Sequence, residues 1–194
     1  INNLKGKINL AVVGAGSFAL GMHLPNIQKL DSIFRIHAIM SRTGSNAKAI
    51  AHQYGAKYAT TEINDILNDS DVDMILITTR HNLHAEIVLK AIKKGKFVFV
   101  EKPLAVNNEE LKEIEQYVKN EKTNLIITGF NRRFAPILNS VKNKLKNRNS
   151  PLIINYVMNA GYIPKEHWVQ TYEGSGRNIG EACHIYDLFN HLTG

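Results

Sequence analysis

The stretch INLAVVGAGSFA, Ile8 to Ala19, decides the fold. Ile8–Val13 is a short apolar run of strand-forming character. Gly14, Gly16 and Ala19 follow in the spacing G-x-G-x-x-A, and a helical pattern runs from Phe18 to Leu30, which Pro25 should kink or divide. A glycine turn between a strand and a helix is the fingerprint of a dinucleotide site. Gly14 allows the tight turn, Gly16 puts no side chain between backbone and pyrophosphate, and Ala19 lets helix and strand pack closely. Ala15, Ser17 and Phe18 complete the turn, where free N–H groups would meet the phosphates. The structural alternative is a plain strand–helix turn that uses glycine.

Outward from this turn, strands alternate with helices. Strands are expected at Arg35–Met40, Lys57–Ala59, Val72–Thr78, Phe97–Val100 and Leu125–Thr128, and a longer one at Pro151–Asn159. Helices are expected at Asn46–Tyr54 with Gly55 as its cap, after Thr61 as an N-cap, at Leu83–Lys93, after Asn107, at Ala135–Lys146, and from about Gly180 to Leu192. The alternation predicts an α/β fold, a Rossmann-like doubly wound parallel sheet over residues 1–130. Residues 131–194 then read as the beginning of an α+β substrate domain, cut short. The first residue is not Met and the chain stops just after a helical pattern, so a piece of a longer protein is expected; a processed terminus would look the same.

Hydrophobic residues make up 44% and charged residues 21%, a balance typical of folded globular chains. No apolar run reaches the length of a membrane span. The single Cys183 excludes an internal disulfide, and with no secretory pattern at the start it points to the cytoplasm. The net charge of +7 is either a basic surface or an attraction to anions such as phosphates and nucleotide sugars. No nucleic-acid recognition module is present. No cysteine framework for a metal exists, and the H-x-x-H spacing of His81 and His84 has no third ligand, so no metal site is expected.

The second strand ends in Ser41 and Arg42 rather than in the acid that would hold a ribose 2′-hydroxyl. A guanidinium binds phosphate in a fork, so NADP(H) is preferred over NAD(H). The alternative is that Arg42 stacks on adenine or faces solvent and either cofactor is accepted.

The fifth strand, FVFV, runs into Glu101-Lys102-Pro103. Charges at a strand's carboxyl end sit where an open α/β sheet keeps its ligand crevice. Together VVGAGSFALGMHLPNI, ITTRHNLHAEIVLKAIKKGKFVFVEKPLA, GFNRRFAP and GEACHIYDLFNHLTG resemble the glucose–fructose oxidoreductase / inositol dehydrogenase (Gfo/Idh/MocA) family. Within it, the chain resembles the module fused to a zinc-type alcohol dehydrogenase in bacterial polysaccharide biosynthesis proteins. The resemblance implies that Lys102 points to the substrate oxygen beside the nicotinamide. Glu101 would sit near the nicotinamide ribose or orient the lysine, with a cis Lys102–Pro103 bond possible. Thr78, Thr79 and His81 would lie along the cofactor, His84 would start the next helix, and Asn131 would lie near the nicotinamide end. Arg80 and His81 replace a proline and an asparagine of the family turn. His184 matches a catalytic histidine, with Asp187 one turn on as its orienter, and both Lys102 and His184 are candidate catalytic residues. Gly180 stands where the family has an aspartate, and its neighbour Glu181 is expected to face elsewhere round the helix. Arg132 or Arg133 could meet an anionic substrate, and Trp168, Tyr162, Glu173 and Arg177 are candidate sugar contacts.

The function implied is hydride transfer between NAD(P) and a hydroxyl or keto group of a sugar-type small molecule, by a homo-oligomer or a fused or associated domain. Two rival readings remain: a non-redox glycosidase or epimerase that uses bound NAD transiently, and a nucleotide-sensing regulatory module.

Overall fold

The computed structural model describes residues 6–194. Six parallel strands form one sheet: β1 (Ile8–Val13), β2 (Phe34–Met40), β3 (Tyr58–Thr60), β4 (Met74–Ile77), β5 (Phe97–Val100) and β6 (Ile126–Thr128). Their order is β3-β2-β1-β4-β5-β6, the doubly wound arrangement expected. The order reverses between β1 and β4, which opens a crevice at the carboxyl ends of the strands.

Alternation along each strand divides the core in two. Leu10 and Val12 join Ile36, Ile39 and Leu76 under α1 (Leu24–Lys29) and α2 (Gly44–Tyr54). Ala11 and Val13 join Ile75, Ile77, Val98 and Val100 under α3 (Ile63–Asn68), α4 (His84–Lys93) and α5 (Asn108–Glu121). Each of these Val, Leu and Ile side chains removed from water contributes about 1.5–3 kcal/mol, so these two layers fix the crest that carries the site.

The helix ends show the local chemistry. Asn107 caps α5 by accepting from the Glu110 N–H at 2.8 Å, and the Glu110 carboxylate accepts from the Val106 N–H at 2.9 Å. At α3 the expected Thr61 cap is not used. Thr60, at the end of β3, takes the Glu62 N–H at 2.9 Å instead, because its hydroxyl already faces the turn. The expected helix from Phe18 to Leu30 is split: Ala19–His23 is a π-turn and α1 follows it, with Pro25 in the first turn of α1, where its missing N–H disturbs the ladder least.

The expected strand Pro151–Asn159 does not form. Ile153 and Val157 are 87% and 94% exposed, and no strand among the described residues lies beside them. A strand needs a partner for its backbone groups, and a β-rich sequence without one remains irregular. After α6 (Pro136–Leu145) and this segment, a second π-turn (Asn178–Ala182) leads into α7 (Cys183–Thr193).

Candidate active site

The glycine turn stands at the crest of the sheet. Gly14 has φ of +100°, and a Cβ there would lie 2.7 Å from the Thr79 nitrogen, so only glycine fits. The Thr78 hydroxyl donates to the Gly14 carbonyl at 2.8 Å and ties the end of β4 to the turn. A Cβ on Gly16 would meet only the Gly14 carbonyl at 3.9 Å, so the space above Gly16 is open to a ligand. Ser17 and Phe18 are exposed beside it, while Ala15 and Ala19 are buried beneath. These residues fit a dinucleotide pyrophosphate.

The end of β2 is braced by a residue that sequence reasoning missed. The Asn46 side-chain amide donates to the Ser41 hydroxyl at 2.8 Å and to the Ala15 carbonyl at 3.1 Å, joining two loops of the crest. Ser41 is buried; Arg42 is exposed between β2 and α2.

Glu101 and Lys102 follow β5 and take different partners, and the Lys102–Pro103 peptide is cis. Glu101 does not orient the lysine. Its carboxylate bonds His23 at 2.8 Å and packs on Gly129, where a Cβ would come within 3.0 Å of it. His23 was also missed; it lies 78 positions from its partner and nothing local in the sequence pairs them. The Lys102 ammonium donates to the Gly180 carbonyl at 2.6 Å and lies 3.5 Å from a Glu181 oxygen. Its side chain is 17% exposed, so the amine is held inside the crevice rather than in bulk water.

The C-terminal helix brings His184 to the same place, edge-on to Phe130. Burial first, and then the Lys102 and Arg132 charges, hold the His184 imidazole below its ordinary pKa, so the ring is neutral at neutral pH. Its Nδ1 is buried with no hydrogen-bond partner among the described residues. Asp187 is not its orienter, because both Asp187 oxygens accept from the Arg133 guanidinium, one at 2.9 Å. Glu181 also departs from expectation and faces Lys102. The wider i→i+5 turn at Asn178–Ala182 gives each side chain a different direction from that of a regular α-helix. Arg132 donates to the other Glu181 oxygen at 2.6 Å and to the Tyr156 hydroxyl at 2.7 Å.

The turn between β4 and α4 is covered by the segment before α7. The His81 Nδ1 lies 2.9 Å from the Gly174 carbonyl, which only accepts, so Nδ1 carries the proton in this contact, and the ring meets Trp168 edge-on. Arg80 lies 3.9 Å over the Trp168 ring and 3.5 Å from Glu173. His81 is therefore turned into the covering segment rather than left open along the crest. Burial drives its pKa down to about 4, helped by the neighbouring His84, Lys102 and Arg80. His84 is fully buried, with Nδ1 2.7 Å from the Pro103 carbonyl and Nε2 3.2 Å from the Thr79 carbonyl. That burial removes it from direct contact with a bound nucleotide. Among the other expected contacts, Arg177 is half-buried at the π-turn, Asn131 is exposed just after β6, and Tyr162 is 86% exposed.

The chain's likeness to known proteins agrees with this crest. A family model described as "Oxidoreductase family, NAD-binding Rossmann fold" matches residues 8–129. The uncharacterized oxidoreductase YrbE of Bacillus subtilis is 27% identical over 190 residues, covering 97% of this chain and 54% of its own. A myo-inositol dehydrogenase from Lactobacillus casei, solved with NAD(H) and myo-inositol, superposes with a TM-score of 0.68 at 25% identity, covering 72% of this chain and 41% of that one. The 3-ketoreductase KijD10 of Actinomadura kijaniata, solved with NADP and TDP-benzene, gives 0.64 at 26%, covering 72% and 42%. The chain spans about half the length of the curated relatives it matches.

Proposed function

Because the chain belongs to the Gfo/Idh/MocA oxidoreductase family, we propose that its polypeptide transfers hydride between NAD(P) and a hydroxyl or keto carbon of a sugar or sugar derivative. The observation that carries this reading is the Lys102 ammonium, held inside the crevice beside the neutral His184 and on the same crest as the open glycine turn. The dinucleotide, when bound, supplies the carbon that gives or takes the hydride. Lys102 has three N–H donors, of which Gly180 and Glu181 face two. The third remains to bond the reacting oxygen and stabilise its developing negative charge. His184, neutral near pH 7, takes or returns the hydroxyl proton. Arg132 and Arg133 are occupied by carboxylates and shape the site through them.

The sugar-type substrate class is supported by likeness to a myo-inositol dehydrogenase and a 3-ketoreductase. NADP(H) is favoured by exposed Arg42 at the end of β2, where a 2′-phosphate would come. A setting in cytoplasmic polysaccharide biosynthesis is supported by the resemblance of the sequence motifs and by the lone cysteine. Exposed Ile127, Phe134, Ile137, Ile153 and Val157 support a further domain or a second copy as cover.

Fluorescence titration with NADPH and NADH tests the reading. Arg42→Ala should weaken NADPH about ten- to hundredfold, the loss of one charge-assisted phosphate contact, and leave NADH unchanged. Equal NADPH affinity in the variant would remove the cofactor preference. No binding of either nucleotide would remove the oxidoreductase reading itself.

A further inference from the structure

We propose that Glu181 is a positioning residue for Lys102, a carboxylate shared with Arg132 that holds the ammonium at the crest. The inference deepens the proposed function, since it rests on Lys102 as the group that meets the reacting oxygen. Glu181 divides its oxygens: one accepts from Arg132 at 2.6 Å, the other lies 3.5 Å from the Lys102 nitrogen. Arg132 is itself anchored by the Tyr156 hydroxyl and the Met158 sulfur. Tyr156, Arg132, Glu181 and Lys102 thus form a continuous polar chain from the segment after α6 to the end of β5.

The charges around Lys102 explain why it needs this partner. His81, His184 and Cys183 lie close enough to feel its charge, and none of them is an anion in the protonation state the site favours; Arg132 reaches it only through Glu181. The nearby carboxylate Glu101 is taken by His23. Glu181 is half-buried, and a partly buried pair keeps attraction that solvent and salt would screen at the surface. Gly180 assists in two ways. Its carbonyl accepts from Lys102, and its lack of a Cβ leaves room for the His81 ring, which would otherwise lie 3.1 Å from that atom.

Two measurements that require no turnover test this. A zero-length carbodiimide applied to the wild-type protein should join Glu181 to Lys102, with Lys57 to Asp71, 2.9 Å apart, as the internal reference. Peptide mass spectrometry after brief acetic anhydride labelling at fixed pH should then show Lys102 acetylated about five- to tenfold faster in Glu181→Gln, relative to Lys57 and Lys90 in the same sample. A reference cross-link without the Glu181–Lys102 product, or an unchanged labelling ratio in a folded variant, overturns the proposal. If Glu181→Gln does not fold, the cross-link on the wild type decides alone. Failure of NADPH to bind the wild type would count against the proposed function and leave the Glu181–Lys102 contact readable.

Discussion

His81 carries the clearest pH dependence at the scale of single residues. Its folded pKa of about 4 lies below the ordinary histidine value, so the unfolded chain binds the proton more readily. The associated stability is present above about pH 6.5 and is lost as pH falls toward 4, on the order of 3 kcal/mol for the full window. Urea unfolding at pH 7.5, 5.5 and 4.0 should show this decline, and His81→Gln should flatten it; equal slopes in the two proteins would contradict the assignment. The same scale shows where sequence reading reached its limit. Lys102 was legible because its tripeptide is local and sits at a strand end. The partners of Glu101 and Glu181 were not, because His23 and Lys102 lie 78 and 79 positions away, and only the folded chain brings such groups together.

Among the elements, α5 tests how much a single cap contributes. The Asn107 side chain satisfies the Glu110 N–H, a donor that no helix carbonyl can reach. Asn107→Ala should therefore cost about 1 kcal/mol, read as a lower midpoint in chemical denaturation with an unchanged slope. This cap was legible because Asn followed by Asn-Glu-Glu before an apolar periodicity is a local signal. The six sheet strands were legible for the same reason, each being a short apolar run bounded by turns. The two π-turns were not, since i→i+5 bonding leaves no mark in residue preference and depends on what packs against the turn. The misread strand at Pro151–Asn159 failed differently: its residues favour extended backbone, but pairing is a property of two segments and the described chain supplies only one.

For the molecule as a whole, residues 1–130 and 131–194 form our proposed division into a nucleotide-binding domain and part of a second. The first holds both buried core clusters, whose buried members all lie between Leu10 and Ile114, whereas the second exposes Phe134, Ile137, Ile153 and Val157. Brief proteolysis should cut first between 146 and 165, leaving an N-terminal fragment that resists further digestion; first cuts within β1 to β5 would refute the division. The parallel sheet was legible from alternation alone, but the cover over the β4–α4 turn was not, because Trp168 and Gly174 lie in a stretch without periodicity. One consequence follows from the buried ring of His84, wedged between the Thr79 and Pro103 carbonyls. It rivets the exits of two adjacent strands into a single anvil. The Lys102 backbone, one residue before Pro103, thereby takes its place from α4 as well as from β5.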